Sequence, residues 1–179
     1  MEMQKLPEPW LRGSLTEVPP VQRAVLHALE LAQEDLERWC SDLSDEELNV
    51  SPHQLAPVAF HLRHLAGSMD RLLTYAEGKA LSKEQISAMK SELDPGASRA
   101  SALPQLVGAF SQSAARIRAF SSESLSEART VGRQQMPTTV AGLLIHVADH
   151  TQRHVGQAIT TAKLVKELRR ESSRGSSIN

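Results

Sequence analysis

The stretch "PTTVAGLLIHVADHTQRHVGQAITTAKLVKELRR" (residues 137–170) decides the fold, because its apolar residues recur at steps of three and four. This spacing predicts one helix of roughly thirty residues that begins near Pro137. The following segment, "ESSRGSSIN", is too polar to pack against a core. The predicted apolar face consists of Val140, Leu143, Leu144, Val147, Ala148, Val155, Ala158 and Ile159.

Three earlier segments have the same spacing and predict three more long helices. The first begins after Pro19–Pro20, the second ends at Gly78 as a left-handed cap, and the third covers about residues 102–121, with Pro104 tolerated in its first turn. Four amphipathic helices predict an all-α four-helix bundle, in which sites form from inward-facing side chains of adjacent helices. The three apolar faces are Val21, Val25, Leu29, Ala32, Leu36 and Trp39; Val58, Leu62, Leu65, Met69, Leu72, Leu73 and Ala76; and Leu103, Leu106, Phe110, Ala114, Ile117 and Phe120.

The connecting segments predict short helical turns and loops. Ser44, three residues before Glu47, forms a capping-box pattern, and Ser82 caps a short helix over residues 82–91. A polar, serine-rich loop leads to Pro137. We therefore expect an extended N-terminal segment at 1–16, a bundle domain at 17–170 and a polar tail at 171–179.

Composition limits the classes of function. With 179 residues the chain suits one domain, and 20 basic residues against 21 acidic ones give no basic run of the kind that binds nucleic acid. No stretch of about 18 apolar residues is present to cross a membrane, and the N-terminus lacks the pattern of a signal peptide. The lone Cys40 fits a reducing compartment. We expect a cytoplasmic protein that binds neither nucleic acid nor membrane.

Histidines on the last helix suggest a metal site. His146, His150 and His154 follow one another at intervals of four, and four residues advance about 6 Å and rotate about 40° along a helix. Two neighbours can therefore chelate one ion, whereas three in a row reach too far. His154 lies about 65° from the centre of the apolar face, His150 about 105° and His146 about 145°, so His150 and His154 form the better pair.

A second histidine group lies on the second helix, in "HLRH" (residues 61–64). One ligand from this helix with two from the last would give a three-histidine site with an open position for water or substrate, typical of catalytic metals. Periodicity places His61 closer to the apolar face than His64, so spacing alone slightly favours His61 as the buried partner. The alternative for such histidines is a solvated or hydrogen-bonded role at a helix boundary.

The motif "HLRHLAGSMDRLLTYAEG" (residues 61–78) followed by "HVADHTQRHVGQ" (residues 146–157) resembles the DinB/YfiT-like superfamily of metal-dependent enzymes. The resemblance covers nearly the whole chain and implies metal ligands at His64, His150 and His154. Where the family often has an arginine or similar polar residue, this chain has Val155, which leaves substrate contacts there open.

The resemblance also implies a chemistry, because some members are transferases or isomerases that use low-molecular-weight thiols such as bacillithiol or mycothiol. A divalent ion held by neutral imidazoles activates such a thiol, or a water. Zinc or nickel suits these ligands, and no carboxylate cluster lies near the histidine motifs in the sequence to favour magnesium or calcium; iron with one added carboxylate stays an alternative. We expect a thiol S-transferase-like or hydrolase-like enzyme with a small-molecule substrate.

Two other functions are compatible with the sequence. In the first, the chain forms a non-catalytic homodimeric bundle with a structural metal. In the second, it has lost its metal and binds a small ligand or a partner in the residual pocket. Retention of all three histidines argues against the loss. Among the remaining candidates, His61 orients a ligand, contacts substrate or is hydrogen-bonded at the bundle edge. Tyr75 and Arg71 either serve a substrate or, as we expect, have roles in packing or ion pairing. His27 and His53 are interpreted as structural or solvated, and His146 as at most a neighbour of the ligands.

Overall fold

Four long helices form the body of the protein, as the apolar spacing predicts. The computed structural model describes residues 6–175. Its elements are α1 (Pro20–Cys40), α2 (Asp45–Asn49), α3 (Val58–Ala76), α4 (Lys83–Lys90), α5 (Arg99–Arg118), β1 (Ala128–Val131), β2 (Met136–Thr139) and α6 (Val140–Gly175), with 3-10 turns at Pro9–Leu11, Pro52–Gln54 and Glu123–Ser126.

The long helices α1, α3, α5 and α6 form the predicted bundle. Helix α6 packs against α1 and α3, and α5 packs against the same two helices. Gln152 donates a hydrogen bond to the carbonyl of Ala28 and Lys166 donates one to that of Trp39, so α1 and α6 run parallel. Helix α6 thus lies between α1 and α3, and its inward face meets both.

The core consists of the predicted apolar faces, which confirms the spacing argument. Some predicted positions are only partly buried at the edges of these faces, namely Val21, Trp39, Leu72, Leu103, Ala114, Phe120, Ala148 and Ile159. The largest part of the core is formed by Val25, Leu29, Ala32, Leu36, Val58, Leu62, Leu65, Met69, Leu73, Leu106, Phe110, Ile117, Val140, Leu144, Val147, Val155 and Ala158.

Capping residues in the sequence predicted several helix ends correctly. Ser44 and Ser82 each accept a hydrogen bond from the backbone amide three residues later and complete a capping box. Gly78, two residues after the end of α3, has a φ of 74°, the left-handed conformation that glycine adopts most readily.

Two predicted helix starts were wrong. Helix α5 begins at Arg99 rather than near residue 102, because Asp45 on α2 accepts a hydrogen bond from the Arg99 amide and so caps α5 from a distant part of the chain. Pro104 consequently lies in the second turn of α5 and not in the first.

Helix α6 begins at Val140 rather than at Pro137, because Pro137 belongs to a hairpin. Strand β1 pairs antiparallel with β2, with Thr130 opposite Pro137. The predicted serine-rich loop thus contains a 3-10 turn and a two-stranded ribbon. Thr139 then accepts a hydrogen bond from the amide of Gly142, a side-chain cap that starts the helix.

The boundaries of the bundle domain, at residues 17 and 170, stay a prediction. Both terminal segments nevertheless contain helical structure. A 3-10 turn occupies Pro9–Leu11 within the segment expected to be extended, and Arg12 pairs with Glu34 on α1. Helix α6 continues past residue 170 to Gly175. Within residues 6–175, none of the helices combines the length and the apolarity needed to cross a membrane. The predictions for residues 1–5 and 176–179 lie outside the described residues.

Candidate metal centre

Three histidines from two helices meet at one point of the bundle. His64 on α3 and the pair His150 and His154 on α6 each offer a ring nitrogen, and these nitrogens all lie within 4.8 Å of one another. Ring centroids are 4.3 Å apart for His64 and His154, 4.6 Å for His150 and His154, and 5.0 Å for His64 and His150. The predicted convergence of these three side chains is therefore present in the structure.

The helix directions explain why one residue of α3 meets two of α6. His61 lies beside His154, and the Nε2 atom of His64 lies 3.4 Å from Nε2 of His150, so α3 and α6 run antiparallel. The interval of four residues places His150 and His154 one above the other on α6. His64 faces the space between them.

The group contains three candidate ligands from the described residues and not four. Within residues 6–175, no further histidine, cysteine or carboxylate joins the cluster. His146 stays outside it, as its helix angle predicts: its ring centroid is 5.4 Å from that of His150, and its side chain is 46% exposed. Three protein ligands are typical of catalytic zinc, which keeps one position open, whereas closed structural sites have four.

Burial keeps the rings of the two α6 histidines neutral at neutral pH. Burial, reinforced by the neighbouring imidazoles, lowers the pKa of His150 from 6.5 to about 4, and the same causes lower the pKa of His154. Nδ1 of His150 is buried, and none of residues 6–175 gives this ring nitrogen a hydrogen-bond partner. Because a divalent transition metal binds neutral imidazole, the donor set fits zinc or nickel.

Comparison with known proteins supports the resemblance. A model of the DinB superfamily matches residues 28–158, which is well over half of the chain and includes all three histidines. This chain belongs to the DinB superfamily. It is also similar to a solved structure, the crystal structure of a conserved protein from Enterococcus faecalis, with a TM-score of 0.68 and 18% identity, covering 82% of this chain and 98% of that one. At this identity the similarity concerns the fold alone. No curated protein matches the chain.

A buried carboxylate supports His64 in this DinB-superfamily chain. Glu92, in the connection between α4 and α5, is 7% exposed, and its Oε2 accepts a hydrogen bond of 2.6 Å from Nδ1 of His64. Its Oε1 accepts one of 2.7 Å from Arg71. Burial raises the pKa of Glu92, but the hydrogen bonds from His64 and Arg71 outweigh it and bring the pKa below its usual value. Glu92 is therefore ionised at neutral pH.

Sequence reasoning missed Glu92, because no spacing rule connects it to His64, which lies 28 residues earlier. It also missed Phe60, whose ring stacks on His64 with centroids 5.2 Å apart and meets His61 edge-on at the same distance. The interpretation of Arg71 as an ion-pairing residue is confirmed.

His61 is more deeply buried than His64, as the helix periodicity predicts, but it is not a member of the ligand group. It is 3% exposed, and burial lowers its pKa to about 4. Its Nδ1 lies 3.2 Å from Nδ1 of His154, so one ring donates a hydrogen bond to the other. His61 thus contacts a candidate ligand and lies outside the group of three.

The other candidate residues lie away from the cluster. The buried His27 contacts Ser14 with a distance of 3.1 Å between Nε2 and Oγ, and His53 is exposed in a turn. Tyr75 lines a cavity of about 880 Å³ between the hairpin and the end of α3, roughly 16 Å along the helix from His64. Val155, where the family resemblance implies a polar residue, is buried in the core.

Proposed function

We propose that this protein is a metal-dependent enzyme that holds one divalent transition metal, zinc or nickel, through His64, His150 and His154 and acts on a small-molecule substrate. The observation that carries the proposal is the meeting of three ring nitrogens within 4.8 Å, with no fourth ligand from residues 6–175. A bound ion would retain its full positive charge, because all three ligands would be neutral.

Each residue of the site has a defined part in this proposal. His150 and His154 supply a rigid pair because they lie on one face of α6, and His64 completes the set from α3. Phe60 covers one face of the His64 ring and excludes water there. The ion would supply the chemistry by lowering the pKa of a thiol or a water molecule, which makes a nucleophile at neutral pH.

The sulfur of a thiol reaction would come from a cofactor rather than from this chain. Cys40 is buried, and burial raises the pKa of its thiol to about 12, so it stays protonated and inert. The leading form of the proposal is therefore a thiol S-transferase-like enzyme that uses a low-molecular-weight thiol, and the second form is a hydrolase-like enzyme that uses water. A single buried thiol also suits the cytoplasm, where we place the protein.

A non-catalytic bundle with a structural metal is the competing proposal. Closed structural sites take four protein ligands. The described residues supply three, which favours the open, catalytic arrangement. We retain the homodimer as part of either proposal; sedimentation of the full chain at twice the monomer mass would support it, and sedimentation at the monomer mass would exclude it.

Metal analysis tests the proposal directly. The purified chain is expected to contain close to one zinc or nickel ion per molecule, and the stripped protein to take up one equivalent in a competition titration. His150→Ala should weaken binding by at least about 100-fold while circular dichroism stays unchanged. His53→Asn is the matched control, because His53 is exposed and asparagine tolerates its left-handed φ of 49°.

Activity is tested with the loaded protein, low-molecular-weight thiols such as bacillithiol and mycothiol, and a panel of electrophiles. Thiol consumption that requires the metal would support the transferase form, and electrophile hydrolysis without thiol would support the hydrolase form. Protein that emerges free of metal from a metal-replete preparation, and takes up none, would refute the proposal.

A further inference from the structure

The outer side of the His64 ring is held by a buried ion pair. Nδ1 of His64 contacts Oε2 of Glu92, and Oε1 of Glu92 contacts Nη1 of Arg71. Both carboxylate oxygens are thus occupied by different partners, and both partners of the ion pair are buried. The other ring nitrogen of His64, Nε2, faces His150.

The chemistry of these groups determines which ring nitrogen of His64 carries the proton. An ionised carboxylate only accepts hydrogen bonds, so Nδ1 of His64 must donate. A neutral imidazole has a single N–H, and Nε2 therefore keeps its lone pair and directs it toward the cluster.

We propose that Glu92 is a positioning residue for metal binding: it holds His64 in the tautomer whose Nε2 lone pair faces the cluster, and Arg71 fixes the orientation in which Glu92 does so. The inference rests on the proposed metal site. The α4–α5 connection contains none of the three proposed ligands, but through Glu92 it controls how strongly the site binds its ion.

The backbone at Gly67 makes room for this arrangement. A Cβ atom placed on Gly67 would lie 2.6 Å from Nη1 of Arg71 and 2.8 Å from Oε1 of Glu92, closer than nonbonded atoms approach. Arg71 and Glu92 therefore meet directly over a residue without a side chain, one turn of α3 after His64. The absence of a Cβ at this point lets the ion pair reach the ring.

Glu92→Gln tests the assignment, because an amide has one acceptor and one donor group where the carboxylate has two acceptors. Arg71 has only donors, so it will bind the amide oxygen and leave the NH₂ group facing Nδ1 of His64. The ring must then accept at Nδ1 and carry its proton on Nε2, where it blocks the metal. We expect zinc affinity to fall about 10- to 100-fold.

The double variant Arg71→Met, Glu92→Gln separates positioning from simple packing. Without Arg71, the amide oxygen is free to turn toward His64 and restore the proton to Nδ1. We expect the double variant to bind zinc at least about 10-fold more tightly than Glu92→Gln alone. If Glu92 and Arg71 only packed the loop against α3, the second substitution would weaken binding further, and that result would overturn the proposal.

Nitrogen-15 NMR of the His64 ring in the stripped protein gives a measurement that does not depend on a variant's folding. The wild type should show the proton on Nδ1, and Glu92→Gln should show it on Nε2. A wild-type ring with its proton on Nε2 would refute the positioning role. Failure of the wild type to bind zinc would instead refute the proposed metal site, so the two failures are distinguishable.

Discussion

The two helices that form the candidate site hold their histidines in different ways. On α3, His64 is fixed by Glu92 and Arg71, which form a buried pair behind the ring. On α6, the interval of four residues brings His150 and His154 together, and their charged neighbours Asp149 and Arg153 are exposed. The α3 half therefore depends on long-range contacts, while the α6 half depends on helix geometry. Substitutions near His64 should consequently cost stability and metal affinity, and equivalent ones on α6 should cost little.

A pair of glycine substitutions should show the largest difference between the two halves. At Gly67 an added methyl group would displace Arg71 or Glu92 from their buried contact, whereas nothing lies within 4 Å of the corresponding position at Gly156 on α6. We expect Gly67→Ala to lower the free energy of unfolding by about 2 kcal/mol. Gly156→Ala should raise it by about 0.5 to 1 kcal/mol, the usual gain in helix propensity.

Urea unfolding of the stripped protein measures both glycine variants under the same conditions. Each gains the same helix propensity, so the difference between them reports the contact at Gly67 alone. Equal stabilisation by the two substitutions would mean that the Arg71–Glu92 ion pair moves aside without lowering the free energy of unfolding. The α3 half would then be no more constrained than the α6 half.

The pH dependence of stability should come more from the deeply buried His61 on α3 than from His150 on α6. The pKa of each is lowered from 6.5 to about 4. Between these values the unfolded chain binds a proton that the folded state excludes, so stability rises with pH across this window and is lost as pH falls from 6.5 toward 4. We expect His61→Leu to remove about 3 kcal/mol of this dependence, because one pKa unit corresponds to about 1.4 kcal/mol.

Chemical unfolding of the metal-free protein at several pH values between 4 and 7 would measure this slope. His150→Leu should flatten the curve less than His61→Leu, because solvent reaches the half-buried His150 ring. A slope unaffected by His61→Leu would show that His61 does not carry the depressed pKa. Burial of the α3 histidine would then cost no more free energy than burial of the α6 histidine.

The same division separates what the sequence could predict from what it could not. The four long helices and their buried faces follow from the spacing of apolar residues, and the pairing of His150 with His154 follows from the helical repeat. For α3, periodicity ranks His61 above His64 in burial, which is correct. Both rings contact α6, so burial alone does not decide which of them joins the cluster. The group of three converging histidines contains His64, which the family resemblance selected.

Features that depend on contacts between distant segments escaped prediction. Glu92 reaches His64 only after α4 and its following turn fold back onto α3, and Asp45 starts α5 from another helix. The hairpin before α6 was missed because the serine-rich segment that precedes it, together with Pro137, is typical of a loop. Periodicity describes one helix at a time, so it contains no information about these partners.

An exposed ion pair on α6 should have the smallest effect of all. Nη2 of Arg153 lies 2.7 Å from Oδ2 of Asp149, and both side chains are 55% exposed, in contrast to the buried pair beside His64. We expect Arg153→Ala to change the free energy of unfolding by less than about 0.5 kcal/mol. Arg170→Ala, which removes a similar exposed pair with Glu167 farther along α6, is the matched control.

Arg153 should nevertheless influence metal binding slightly, because its positive charge lowers the pKa of the adjacent His154 and repels a cation. Its removal should raise zinc affinity about two- to threefold at low ionic strength, and the gain should vanish above roughly 0.5 M salt, where exposed charges are screened. Arg170→Ala should leave the affinity unchanged at any salt concentration. A tenfold loss of affinity in Arg153→Ala would show that Arg153 supports a ligand directly, and the α6 half would then depend on side-chain contacts as the α3 half does.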